Sequence, residues 1–179
     1  MKITRGEVLD YPDAALDRAD FYRVVEELVL RVRTIRPQVI MTLGPEGAIT
    51  AHPDHSMVAM FTTMAFHWAG RANRYVEQLN DGLSPHRTQK LYYSTALFTL
   101  ADRQPVALSP ATTTIDIGDY LETKIAAFKA HKSQTPLFSL FETNVRKRGK
   151  KEQFHLAARS VPSVIQPETD LFEDVEGEL

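Results

Sequence analysis

The sequence predicts an α/β fold, a mostly parallel sheet flanked by helices, and three observations point to it. Apolar residues recur at spacings of three and four from Asp17 to about Thr34. Two β-rich stretches, "GEVLDYPD" and "QVIMTL", bracket that segment. A loop with two glycines then leads into a second amphipathic segment. Strand, helix and strand in close succession make a βαβ unit, whose strands run parallel and are joined by a right-handed crossover.

Each element has its own signal. "GEVLDYPD" reads as a short strand running into a Pro-Asp turn. In the helix that follows, Phe21, Val24, Val25, Leu28, Val32 and Ile35 share one face and charged residues take the other. Pro37 stops the helix, and "QVIMTL" reads as a buried strand in a central position. Gly44, Pro45 and Gly47 make the next stretch a loop, and a helix starts near Pro53. Proline suits a first helical turn because its missing N–H would be unpaired there. Met57, Met60, Phe61, Met64, Ala65 and Trp68 mark that helix's apolar face.

Further along, "KLYYSTALF" and "TTTIDI" read as strands and "EQFHLAARS" as a final strand. "GDYLETKIAAFKAHKSQ" reads as a helix with Leu121, Ile125 and Phe128 on one face, and "RKRGKK", 146 to 151, as a basic, solvated loop. From Glu168 onward there are six acids and no base. Residues 1–165 are therefore expected to form one domain, and 166–179 an acidic, disordered tail.

Composition removes several function classes. With no cysteine, disulfides, thiolate metal sites and a cysteine nucleophile are excluded, so any metal must be held by His, Asp or Glu. A net charge of -2 gives no sign of a nucleic-acid or membrane partner, and "RKRGKK" contains no aromatic residue on which a base could stack. The opening "MKITRGEVLDYPD" lacks the apolar run of a signal peptide or a membrane span, so a cytoplasmic location is expected.

The chemistry concentrates in "TAHPDH", directly after the strand "QVIMTL". In open α/β sheets ligands bind beyond the carboxyl ends of strands, where this stretch falls. His52 and His55 are three apart, which puts both side chains on one face of a first helical turn. Two readings stand. One histidine could bind a metal while the other, paired with Asp54, stays protonated and stabilises an oxyanion. Alternatively, His52 and Asp54 cap the helix and His55 bonds a loop carbonyl. A catalytic zinc needs about three protein ligands. His67 and His86 offer no partner, and His131 ends a helix, where a charged imidazole meets the negative end of the dipole.

These residues resemble the LmbE-like or PIG-L-type de-N-acetylases. The matching segments are "LDYPDAAL", "IRPQVIMTLGPEGAITAHPDHSM", "LYYSTALF" and "IDIGDYLETKIAAFKAHKSQ". The resemblance implies a Rossmann-like fold and a zinc-dependent hydrolase that removes acetyl groups from N-acetylated amino sugars or related small amides. It implies that His55 ligates zinc, that His52 is the protonated group stabilising the tetrahedral oxyanion, and that Asp54 orients His52 and raises its pKa. Asp13 and His131 match positions near the substrate.

One departure carries weight. The family's first strand ends in His-Pro-Asp-Asp, which supplies the remaining ligands and the general base. The nearest string here, "YPDA" at 11 to 14, has no histidine. The chain is therefore expected to be truncated at its N-terminus by roughly 60–100 residues, about two βα units. Zinc is expected to bind weakly or not at all to the isolated chain. A homo-oligomer or a complementing N-terminal half is an expected partner. The alternative is a non-catalytic module that binds a sugar or another subunit.

Overall fold

The computed structural model describes residues 3–95 and 107–177. The "ALF" end of "KLYYSTALF" lies outside the described residues. Helix α1 (Phe21–Ile35) starts where the Asp20 side chain accepts the Arg23 N–H at 3.0 Å, and stops at Arg36, just before Pro37. Strand β1 (Val39–Leu43) follows, then α2 (Pro53–Ala69), a short α3 (Val76–Asn80) and strand β2 (Lys90–Ser94). Strand β3 (Thr113–Asp116), helices α4 (Leu121–Lys129) and α5 (Phe138–Arg148), and strand β4 (Lys151–Arg159) complete the order.

The α/β class holds, with a sheet ordered β1-β2-β4-β3. Its pairing is mixed rather than mostly parallel among the described residues. β1 and β2 run parallel, while β4 is antiparallel to both of its neighbours. The reason lies in α4 and α5. They return the chain to the end of the sheet where β3 finished, and the Ile117 N–H donates to the Lys150 carbonyl at 2.8 Å. A strand that starts beside the end of its neighbour must run the other way.

Three further expectations are corrected. "GEVLDYPD" is not a strand; Val8 is fully exposed, and Tyr11 and Leu16 pack on the α1–α2 core instead, with the Tyr11 hydroxyl donating to Glu27 at 3.0 Å. The parallel βαβ unit is therefore β1-α2-β2, and β1 is an edge strand of the described sheet, not a central one. "RKRGKK" is only in part a loop, because α5 runs into it and β4 begins at its last lysine. Helix α5 is held by aromatic packing, Phe141 lying flat on Phe128 of α4 with centroids 3.8 Å apart.

The main core is the α1–α2 contact, where Val24, Val25, Val29 and Val32 meet Phe61, Ala65, Trp68 and Ala69. Ile35 and Met60, expected on the apolar faces, point outward. Arg33 crosses beneath this core at 2% exposure. Its five hydrogen bonds run to the carbonyls of Ala69, Arg71, Arg74 and Tyr75 and to Gln78 Oε1, at 2.8–3.1 Å. Every guanidinium N–H is thereby satisfied without a carboxylate.

The acidic tail is not a disordered appendage from Glu168 to Glu176. The Glu168 backbone pairs with Thr112 and Thr114, and Leu171 packs on the second core of Tyr92, Phe154 and Leu156. The Glu168 carboxylate takes bonds from Lys90 (2.8 Å), Tyr92 (2.6 Å) and Thr113 (2.9 Å). Burial alone would raise its pKa, but these three donors together hold it below the usual carboxylate range. Counting tail charges hid one acid whose partner is a buried lysine two strands away in sequence.

Candidate active site

The loop between β1 and α2 lies at the carboxyl end of β1, as expected. Gly47 makes its turn possible. With φ +84° it sits in the left-handed region, and a Cβ there would come within 2.7–2.8 Å of the Ala51 and His52 backbones. The Gly47 carbonyl then meets both histidine segments, accepting the His52 N–H at 3.0 Å and lying 3.2 Å from His55 Nδ1.

The two imidazoles are 5.3 Å apart, centroid to centroid, and their partners assign them, as neutral rings, opposite tautomers. His52 is the N-cap of α2, and its Nδ1 accepts the Asp54 backbone N–H at 3.2 Å. A neutral ring that accepts at Nδ1 carries its hydrogen on Nε2 and can donate from there. His55 has the converse arrangement. A carbonyl can only accept, so its Nδ1 bears the hydrogen and its Nε2 keeps a lone pair. That is the tautomer metal ligands usually adopt, with the other nitrogen fixed by a carbonyl.

The capping reading has its geometric counterpart, since His52 caps the helix and His55 bonds a loop carbonyl; a charged His52 does not, because a ring that accepts an N–H at Nδ1 is not an imidazolium. Asp54 departs from expectation. Its carboxylate, 7% exposed as a residue, accepts the N–H groups of Ala14 (2.7 Å) and Leu16 (3.2 Å). It is the Asp54 backbone, not its side chain, that bonds His52. The carboxylate instead fastens the turn carrying Asp13 to the start of α2.

His55 lies between two cavities. One, of about 400 Å³, holds Asp13, Asp54 and Tyr11 together with apolar residues of α1 and α2. The other, of about 450 Å³, opens beyond the carboxyl ends of β1 and β2, lined by Leu43, Ser94 and Thr95 and roofed by Phe141 and Val145 of α5. Asp13, Asp54 and His55 are therefore brought together. His131 is not; it is exposed in the turn after α4 and lines neither cavity.

Sequence reasoning missed Glu46. Its carboxylate folds back over Gly44, into the space a Cβ would take, and both oxygens are shielded without a partner among the described residues. The acid between the two glycines of "GPEG" was the only signal, and nothing in its spacing set it apart. As for metal, no group of three or more His, Asp or Glu among the described residues could hold one. The residues present do not make a complete zinc site, which needs about three protein ligands.

Residues 1–66 match the family model described as PIG-L: GlcNAc-PI de-N-acetylase. This segment carries the PIG-L family match. That segment contains Asp13, the glycine loop, both histidines of "HPDH" and nearly all of α2. Similarity to individual proteins reaches further. A 1D-myo-inositol 2-acetamido-2-deoxy-alpha-D-glucopyranoside deacetylase of Catenulispora acidiphila is 31% identical, over 90% of this chain and 61% of its own length. Diacetylchitobiose deacetylase of Thermococcus kodakarensis is 29% identical, over 80% of this chain and 49% of its own. The chain thus spans only half to three-fifths of these relatives. The N,N'-diacetylchitobiose deacetylase of Pyrococcus horikoshii, solved with an inhibitor, has a TM-score of 0.59 at 19% identity, covering 82% of this chain and 54% of that one. This places the PIG-L segment in a shared fold. No helix among the described residues is long and apolar enough to cross a membrane.

Proposed function

We propose that this chain forms the substrate and oxyanion side of a de-N-acetylase acting on an N-acetylated amino sugar or a related small amide. The observation that carries the reading is the pair of opposed tautomers, His55 lining both cavities with a lone pair on Nε2 and His52, 5.3 Å from it though lining neither, with a donor on Nε2. Hydrolysis of an acetamide passes through a tetrahedral oxyanion, and a fixed N–H donor lowers that barrier. His52 Nε2–H would be that donor, held in place by the Asp54 backbone. Asp13, in the cavity beside His55, would accept hydrogen bonds from sugar hydroxyls.

The resemblance implies zinc, and His55 Nε2 is the position this chain would offer to it. The described residues do not complete that ligand set. The incomplete set also favours a second reading, a sugar-binding module without activity of its own. The Catenulispora and Thermococcus relatives are deacetylases of acetamido sugars by their names, which supports the substrate class.

Acetate release from diacetylchitobiose separates the readings. The 179-residue chain is assayed alone and with the amino-terminal segment of the Catenulispora relative supplied in trans. Release in the second arm only, abolished by His55→Ala, is the expected result. Saturable sugar binding without release in either arm would favour the binding module. Neither binding nor release would overturn both.

A further inference from the structure

A third cavity lies at the opposite end of the sheet from His55. It has a volume of about 370 Å³ and gathers Arg36, Gln38, Gly70, His86, Arg87 and Gln89, with no acidic residue in its lining. Gln38 and Gln89 directly precede β1 and β2, so the cavity sits beyond the amino ends of that parallel pair. We propose that this cavity is an oxyanion site, taking the phosphate group of a small phosphorylated molecule.

The charges support this class. Among the described residues neither Arg36 nor Arg87 pairs with a carboxylate; each reaches only a main-chain carbonyl, of Pro85 and Ser160 respectively. Asp174 of the acidic tail pairs with Arg159 instead, at 3.6 Å. A cleft lined by one sign of charge focuses its field on counter-ions, and the planar guanidinium fork matches phosphate oxygens two at a time.

The surroundings hold the two arginines in place. Arg36 is the left-handed residue that ends α1, and its N–H bonds Val32. Gly70 ends α2, and a Cβ there would stand 2.8 Å from Arg87 Cγ, so the glycine lets the Arg87 stem lie against the helix end. His86 Nε2 bonds the Pro37 carbonyl at 2.8 Å, which orients the ring beside them. Gln38 and Gln89 both donate to the Glu176 carbonyl, at 3.1 and 2.9 Å, which fixes the two amides beside the arginines. The volume exceeds that of a bare phosphate and suits a small phosphorylated body.

The test is an NMR titration of the full 179-residue chain at constant ionic strength with inorganic phosphate, glucose 6-phosphate and glucose. Saturable shifts of the Gly70 amide and the Gln38 and Gln89 side-chain amides are expected with both phosphates and not with glucose. Tighter binding of glucose 6-phosphate assigns the site to phosphorylated molecules, and equal binding assigns it to the phosphate group alone; both support an oxyanion site. Arg36→Gln and Arg87→Gln should each weaken binding about tenfold or more, while Arg74→Gln, outside the cavity, should not. Arg36 is exposed, so its variant keeps the fold if Arg87→Gln loses the Ser160 contact. Shifts that rise linearly with phosphate, or that persist unchanged in both variants, would overturn the proposal.

Discussion

Lys90 Nζ and Glu168 Oε1 lie 2.8 Å apart with only 1% and 5% of their side chains exposed, and the Tyr92 hydroxyl bonds the same carboxylate. Opposite pH limits follow from these groups. The pKa of Glu168 is lowered on folding, so its contribution is fully present above the unfolded carboxylate pKa and fades as pH falls through the folded value. The pKa of Tyr92 is raised, by burial first and then by Glu168, so its contribution is present below about 10 and fades at higher pH. Thermal unfolding measured across pH should give a dome, and Tyr92→Phe should remove the alkaline fall but keep the acid one. An alkaline limb unchanged in that variant would show that Tyr92 is not its source.

Removing the cation should cost more than removing the pair. Lys90→Met leaves Glu168 buried without its counter-charge and should destabilise the chain by about 3–5 kcal/mol. Lys90→Met with Glu168→Leu should recover much of that loss. Denaturant unfolding of the two variants compares the outcomes.

Asp54→Asn should act on the Asp13 turn. The carboxylate accepts two N–H groups, and an amide can accept with one end only. A loss of about 1–3 kcal/mol is expected, with faster hydrogen exchange at Ala14 and Leu16. In an active assembly the loss should raise KM more than it lowers kcat. A shifted pH–rate limb with unchanged exchange would instead return Asp54 to the role of setting the His52 charge.

Gly47→Ala should disturb both histidines at once. The new Cβ would meet backbone atoms of Ala51 and His52, which cannot swing aside as a side chain can. A cost of about 1–3 kcal/mol is expected for the strained residue. The ring resonances of His52 and His55 should move together. Unchanged ring shifts would mean the loop tolerates the methyl group.

The histidines themselves should separate by readout in a complemented enzyme. His55→Ala is expected to lower metal content, whereas His52→Ala should leave metal content intact and lower kcat by about 10²–10³. Equal metal loss in both variants would show that the two rings share one role.

Local signals made much of this fold legible. Pro37 and Pro53 mark helix boundaries by their own chemistry, and the end of α1, β1 and the start of α2 fall where those residues put them, whereas α1 begins after the Asp20 cap and not at Asp17. "HPDH" stood out as a candidate site because its spacing and its place after a strand are both local. The strand expected at "GEVLDYPD" failed because strand formation needs a neighbour, and no periodicity reports one. The antiparallel return of β4 depends on how two helices stack through Phe128 and Phe141. Glu168 could not be told from five other tail acids, since its partners Lys90 and Thr113 are 78 and 55 residues away. The Asp54 backbone contact to His52 is likewise invisible to a reading that assigns roles to side chains alone.

Arg33 has a consequence for how the molecule comes apart. Residues 69 to 78 leave α2, turn and enter a helix of only five residues, too short to persist alone. Their carbonyls converge on one guanidinium from another helix, so the order of this stretch is borrowed from α1. Losing the grip of α1 on α2 would strand five donors in an apolar layer, and losing the turn would do the same from the other side. The helix pair and the turn therefore open as a single cooperative unit, with no cheap partial opening between them.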